Sequence, residues 1–319
     1  MYRKMTTFQF RITGLILALV NSGVLSFKQR QLAVSPFTPG QFPINSIVVD
    51  PKDDKSPLHS TVFYPEVVGT FIPIYFIGGL YGHVLSEDYS DFLTEVASHG
   101  FIVIGMDPNS PLLDRYQMQE SREKKLDLYL QQMKWLAEHM GNKTTPVADW
   151  NRPVLMCQSA GCDDTLEMIH QNRSIAKASV FIDPVSVHSL DMKIIPSKIA
   201  VLTYMAELSE AFPYCCIAGM GWNKIYELMT CVKVRMEVKK FGHCDLLDHA
   251  AWALCHDTKI CRTTDDSRLQ EYRSFTTGIV VAFLQWTVFG LSDMAKYVTQ
   301  PALMPLTLKD FAFNVTCST

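Results

Sequence analysis

The chain has 319 residues, 48% of them apolar and 19% charged, with a formal net charge of −3. That length makes one or two domains and is enough to bury a full core. A near-neutral balance excludes a surface built to bind nucleic acid, and 11% aromatics exclude disorder. Two irregularities stand out: there are nine cysteines, an odd number, and no acidic residue precedes Asp50.

The acid-free start has a simple reading. Arg3, Lys4 and Arg11 precede an apolar run from Ile12 to Val20, which resumes after Asn21-Ser22-Gly23 as far as Phe27. This is short of the roughly 20 residues a spanning helix needs, and it has the shape of a secretory signal over residues 1–26. An uncleaved signal anchor shares these features. So does an organelle transit peptide (a plastid address in an alga), because acids are absent and Ser, Thr and Arg are present. Sequons at Asn142, Asn172 and Asn314 agree with secretion and predict a glycoprotein. No later run is long enough to span, and Gly278 to Phe289 reads as a buried helix.

Residues 37–319 read as a single domain of alternating elements. Phe71 to Ile77 is an apolar strand ending in Gly78-Gly79. Ser86 to Ser98 has helical spacing at Tyr89, Phe92, Leu93 and Val96, and Phe101 to Met106 is a second apolar strand. Arg122 to Met140 is an amphipathic helix with Leu126, Leu130, Met133, Leu136 and Met140 on one face. Pro153 to Cys157, Ala178 to Ile182, Ile199 to Met205 and Val232 to Val238 complete the strands. Continuous apolar strands between helices predict an α/β fold, a mostly parallel central sheet covered on both faces. In such sheets ligands gather at the carboxyl ends of the strands, so chemistry is expected just after each one.

After Pro153 to Cys157 come Gln158, Ser159, Ala160 and Gly161, then a helix to Gln171. A strand, a sharp turn carrying serine and a helix form the context of a nucleophile elbow. Such an elbow wants small residues two before and two after the serine; Gly161 supplies one and Cys157 stands at the other. A serine nucleophile needs a base, and the base an orienting acid, in the chain order Ser, acid, His. Of the later histidines, His243 alone directly follows a strand end, after Gly242. His170 lies on the elbow helix, and His188, His249 and His256 read as loop or helix-surface residues. Two acids follow strands, Asp183 and Glu207, and the residues leave both open. Asp163 and Asp164 suit the positive end of the elbow helix. Backbone N–H groups of Ala160 and of Leu80, in the Gly78-Gly79-Leu80 turn, are the expected oxyanion donors.

These residues make the chain resemble the chlorophyllase family of α/β-hydrolases. The stretches 97–107 (ASHGFIVIGMD), 182–185 (IDPV), 241–249 (FGHCDLLDH) and 278–285 (GIVVAFLQ) look like that family's motifs, and the likeness runs from Phe37 to Gly290. Cys216, Asn223, Tyr226 and Cys231 sit at spacings similar to its cysteine-containing loop. The resemblance implies Ser159 as nucleophile, His243 as base and Asp183 as acid. It implies hydrolysis of the phytyl ester of chlorophyll to chlorophyllide and phytol, with no cofactor. The elbow departs from the family's Gly-His-Ser-Arg-Gly-Gly, reading Cys157-Gln158-Ser159-Ala160-Gly161-Cys162, and Gly78-Gly79-Leu80 replaces its His-Gly-Phe. Together with a secretory start, these differences look like a secreted chlorophyllase-like member. They leave two further readings: a secreted carboxylesterase or lipase on other esters, and a non-catalytic pigment- or lipid-binding protein of the same fold. The partner expected in each case is a hydrophobic ester or lipid, with peripheral lipid contact.

Nine cysteines fit an oxidising compartment. Cys157 and Cys162 read as small packing residues, with a bridge between them left open. Among the seven later ones the expected bridges are Cys216–Cys231 and Cys255–Cys261, with Cys215, Cys244 and Cys317 sharing one more and leaving one thiol. His243, Cys244, Asp245, His249, Cys255 and His256 match no standard metal spacing, so no metal is expected.

Overall fold

The structure, a computed structural model, describes residues 35–108 and 121–317. The expected signal segment 1–26 lies outside the described residues. From Pro36 onward the chain clusters as one compact unit.

Among the described residues ten strands make one sheet: β1 (Ile44–Val49), β2 (His59–Pro65), β3 (Thr70–Ile77), β4 (Phe101–Asp107), β5 (Val147–Ala148), β6 (Val154–Gln158), β7 (Ala178–Ile182), β8 (Ala200–Ala206), β9 (Lys233–Val238) and β10 (Leu308–Asn314). Their order is β1-β2-β4-β3-β6-β7-β8-β9-β10, with the short β5 beside β3. The pairs from β4 to β9 are parallel, and the two ends of the sheet are antiparallel. Register aligns Phe76, Met156, Val180, Leu202 and Val234 in one row across five strands, and all are buried. They join a core with Phe92, Leu93 and Val96 of helix α1 (Ser90–Ser98) and with Phe275, Ile279 and Phe283 of helix α6 (Leu269–Thr287). Tyr75, pointing the other way, donates its hydroxyl to the Met133 carbonyl of helix α2 (Arg122–His139) at 3.4 Å. Both faces are thus covered, as the unbroken apolar strands require. The remaining long helices are α3 (Gly161–Gln171), α4 (Trp222–Leu228) and α5 (His249–Thr258). Among the described residues no helix is long and apolar enough to cross a membrane.

The six predicted strands are present, each within one residue of its expected ends. The outer strands β1, β2 and β10 and the two-residue β5 stand outside the predicted set, the outer ones for a physical reason. β1 and β10 lie at the sheet ends and are largely half-exposed, so they carry no continuous apolar run. β2 begins with His59, Ser60 and Thr61, all buried. Gln132 of α2 pairs with the middle one, donating to Ser60 Oγ at 2.9 Å, and accepts from Leu58 N at 3.0 Å. The helix predicted from Ser86 starts as a 3₁₀ turn, Ser86–Tyr89. There the buried Asp107 carboxyl accepts from Ser86 N (2.9 Å) and Ser86 Oγ (2.6 Å), fastening the end of β4 to the turn.

The disulfides correct the expected pairing. The bonded pairs are Cys157–Cys162, Cys215–Cys261, Cys231–Cys317 and Cys244–Cys255, and Cys216 is free. Cys216–Cys231 does not form, because Cys231 enters β9 and antiparallel β10 returns Cys317 to it through the Asn314↔Lys233 register. Cys255–Cys261 does not form, because Cys255 on α5 faces Cys244 in the loop after β9, while Cys261 reaches across to Cys215.

Two outcomes are expected. Phe283→Ala, in the middle of the α6 core face, should cost about 3–5 kcal/mol in urea unfolding. Burial pushes the Asp107 carboxyl up to about 7. Its protonated form therefore favours the folded state below the ordinary carboxylate range, and that advantage is lost as pH rises through about 7. Asp107→Asn should accordingly compare better with the parent at pH 8 than at pH 4.5, read by urea melts at both.

Candidate active site

Four strand ends meet at the carboxyl edge of the sheet. β6 stops at Gln158, Ser159 turns with φ 57°, and α3 begins at Gly161. A positive φ is uncommon for a residue with a side chain, and here it lifts the serine out of the strand line. Hydrogen bonds to β7 and the loop after it hold the turn: Ser159 N donates to Ile182 O and Val185 N donates to Ser159 O, each at 3.1 Å. Gly161 is required because a Cβ there would lie 2.3 Å from Gly78 O and 2.6 Å from Ile77 O. The Cys157–Cys162 bond joins the strand and helix on either side of the serine, so these two are not the simple packing residues expected.

Ser159 Oγ lies 2.8 Å from His243 Nε2, and both residues are buried. His243 sits in the loop after β9, which is organised by Asp245. That carboxylate accepts from Gly242 N (2.6 Å), Trp252 Nε1 (2.9 Å) and Thr264 N (3.0 Å), and burial pushes it up to about 6. Cys244–Cys255 ties the same loop to α5. On the other side of the ring, Asp183 Oδ2 is 3.8 Å from Nδ1, and the Cys216 thiol is 3.3 Å from it. Asp183, with φ 43°, accepts from Ala206 N through Oδ1 at 2.6 Å, while Oδ2 has no hydrogen-bond partner. With water excluded, burial lowers the His243 pKa and raises that of Asp183. The resting imidazole is therefore neutral at pH 7, with a lone pair able to take a proton. Since Nε2 faces the serine hydroxyl, the ring proton belongs on Nδ1.

The other expected acid, Glu207, lies elsewhere. Its carboxylate accepts from Lys240 N at 2.9 Å and pairs with Lys309 at 3.7 Å. The Gly78-Gly79-Leu80 turn runs beside the serine: a Cβ on Gly79 would lie 3.3 Å from Ser159 Cβ. Gly79 N donates to Tyr89 Oη at 3.1 Å, the following residue Leu80 has φ 48°, and Ala160, after the serine, is buried. Asp163 and Asp164 do more than sit at a helix end. Asp163 accepts from Ser186 Oγ and from the N–H of His188, whose ring it also pairs with, and Asp164 pairs with Lys125 at 2.7 Å. His170, His249 and His256 are far from the serine in role: they pair with Glu167, Asp266 and Thr263. Cys244 and Cys255 come together with Cys261, but all three sulfurs are spent in disulfides.

Three residues at the centre were not singled out as site residues from sequence. Tyr89 reads as one more apolar helix position, Gln158 as one departure of the elbow from the family pattern and Cys216 as half of a bridge. Only the place of Gln158 next to the nucleophile could have marked it.

Serine, aspartate and histidine in that chain order, each following a different strand of the parallel part of one sheet, are arranged as in an α/β-hydrolase. The chlorophyllase family model matches residues 32–315, and the chain belongs to that family. It is similar to chlorophyllase-1 of Arabidopsis thaliana, 25% identical over 303 residues that cover 85% of this chain and 90% of that protein. Its identity to the chloroplastic chlorophyllase-1 of Citrus sinensis and of Citrus unshiu is 22% over 294 residues, 85% of this chain and 86% of each relative. Family members are carboxylic ester hydrolases, and this chain is one.

Gly161→Ala should destabilise by about 1–3 kcal/mol, since its Cβ meets carbonyl oxygens that cannot yield. Gly141→Ala is the control: a Cβ there meets nothing within 4 Å, and its thermal midpoint should not fall.

Proposed function

We propose that the chain hydrolyses the phytyl ester of chlorophyll, releasing chlorophyllide and phytol, with Ser159 as nucleophile, His243 as base and Asp183 as acid. The observation that carries this reading is the 2.8 Å contact between Ser159 Oγ and His243 Nε2 at a left-handed elbow, in a chain of the chlorophyllase family.

His243 Nε2 takes the hydroxyl proton as Ser159 Oγ bonds to the ester carbonyl carbon. The carbonyl oxygen becomes an oxyanion facing the N–H groups of Ala160 and Leu80, where losing one such donor costs about 3–4 kcal/mol. The imidazolium returns the proton to the alkoxide of phytol as the C–O bond breaks. Water, deprotonated by the same nitrogen, then frees the acyl group from Ser159. Asp183 holds its unpartnered Oδ2 where the imidazolium charge appears, and the pair draws together as that charge forms. Exposed apolar side chains on the loops after β3, β7 and β8, among them Leu80, Val187, Leu190, Phe212, Tyr214 and Ile217, suit a long hydrocarbon alcohol or a lipid surface.

The altered elbow supports one other reading, a carboxylesterase on different hydrophobic esters, because Ala160 stands where the family's usual arginine follows the nucleophile. Secretion is the proposed location. Four disulfides favour an oxidising compartment, and Asn142 and Asn172 are exposed for glycan addition. In Asn314 the side-chain oxygen accepts from the sequon hydroxyl of Thr316 at 2.7 Å.

Purified protein should convert chlorophyll to chlorophyllide by chromatography, and Ser159→Ala should abolish it; turnover of short p-nitrophenyl esters alone would favour the carboxylesterase. Asp183→Asn should lower kcat by about 10⁴-fold, whereas Glu207→Gln should change it little. The reverse order would move the acid to Glu207.

A further inference from the structure

Gln158, immediately before the serine, is buried and its amide is fully engaged. Gly79 N donates to Tyr89 Oη at 3.1 Å, so the tyrosine proton is directed to Gln158 Oε1, 2.8 Å away. The other end of the amide, Nε2, lies 3.2 Å from the His243 carbonyl oxygen and 3.3 Å from His243 Nε2. A carbonyl only accepts, and a tyrosine hydroxyl that has already accepted from Gly79 has its proton to give. The amide orientation is therefore fixed from both ends. One N–H of Gln158 holds the histidine backbone, and the second reaches the imidazole nitrogen that also receives Ser159 Oγ.

We propose that Gln158 is a positioning residue that keeps His243 neutral, by donating an N–H to the Nε2 lone pair, and that couples the base to the Gly79 turn through Tyr89. This rests on His243 being the base of the reaction proposed above. The direction follows from donor chemistry. Neutral imidazole offers Nε2 as an acceptor, which the Ser159 hydroxyl at 2.8 Å and the longer amide contact at 3.3 Å share. Imidazolium would turn an N–H towards another N–H, which Gln158 opposes. The arrangement costs some base strength and extends the pH range over which the base is unprotonated. The groups in contact with the ring besides Gln158 are Ser159 from the elbow, Asp183 after β7 and Cys216 after β8; Glu210 and Asp245 act on Asp183 beside it, and Tyr89 lies behind the amide. Of these, Asp183, Cys216, Glu210 and Asp245 make no hydrogen bond to Gln158, whereas Tyr89 loses its acceptor when Gln158 is replaced by Met, which is why Tyr89→Phe is measured beside it.

The test compares the full chain with Gln158→Met, close in size but without hydrogen bonds, and Gln158→Glu, which replaces the donor by an acceptor. The acid limb of kcat/KM against pH, on a short p-nitrophenyl ester, should move up by about 0.5–1 unit in Gln158→Met, the range one hydrogen bond corresponds to. It should move further in Gln158→Glu, whose carboxylate favours the imidazolium. Coincident acid limbs in all three, or a shift to lower pH, would overturn the proposal. Tyr89→Phe, which frees the amide at its other end, should shift the limb in the same direction by less. The His243 imidazole can also be titrated by NMR in a Ser159→Ala background, where no turnover is needed. If no ester is cleaved by the parent, the hydrolase reading fails. If the imidazole midpoint is the same with Gln158 and with Met, the role given to Gln158 fails on its own.

Discussion

The left-handed backbone at Ser159 is the constraint on which the centre of this molecule depends. A residue with a side chain takes such a conformation only where its surroundings over-determine it, at a cost on the order of 1 kcal/mol or more. Here the surroundings come from every direction. β7 and the loop after it hold the turn through both the N–H and the carbonyl of Ser159. β3 presses its last carbonyls against Gly161, so closely that no Cβ fits between them. The parallel register of β3, β6 and β7 brings these three strand ends level, and without it no single turn could be gripped from both sides.

A second consequence of that convergence is the exclusion of water. Asp107, Asp183 and Asp245 are all buried, and each is pushed towards its neutral form. Their hydrogen bonds are what make the burial tolerable: Ser86 for Asp107, Ala206 for Asp183, and Gly242, Trp252 and Thr264 for Asp245. Two of these acids fasten loops. The third keeps one oxygen unpartnered beside the imidazole. An acceptor left unmet in a dry site is costly at rest and is repaid when a proton arrives on the ring.

The parallel part of the fold was legible because strands buried on both faces must be apolar throughout, and Phe71 to Ile77 or Ala178 to Ile182 can be little else. The edges were not. β1 and β10 need only half an apolar face, and β2 hides polar residues whose partner, Gln132, is 72 positions from Ser60. Ser159, Asp183 and His243 could be read from their places after strands, since the turn chemistry leaves a local mark. Choosing between Asp183 and Glu207 could not, because it depends on which loop folds back towards the ring. Cysteine pairing failed for the same reason. Cys317 meets Cys231 only through the return of β10, and Cys216 stays reduced because its neighbours are a histidine and a carbonyl rather than another sulfur.

The bond between Cys157 and Cys162 gives the molecule a history as well as a shape. Both sulfurs are buried in the folded sheet, so an oxidant reaches them most readily while the chain is still open. Closure of the turn around the serine thus becomes part of maturation. A chain synthesised under reducing conditions could assemble its core and still differ from one matured under oxidising conditions at the one place where the ester would be attacked. In such a molecule the cell compartment of synthesis is written covalently into the reactive turn.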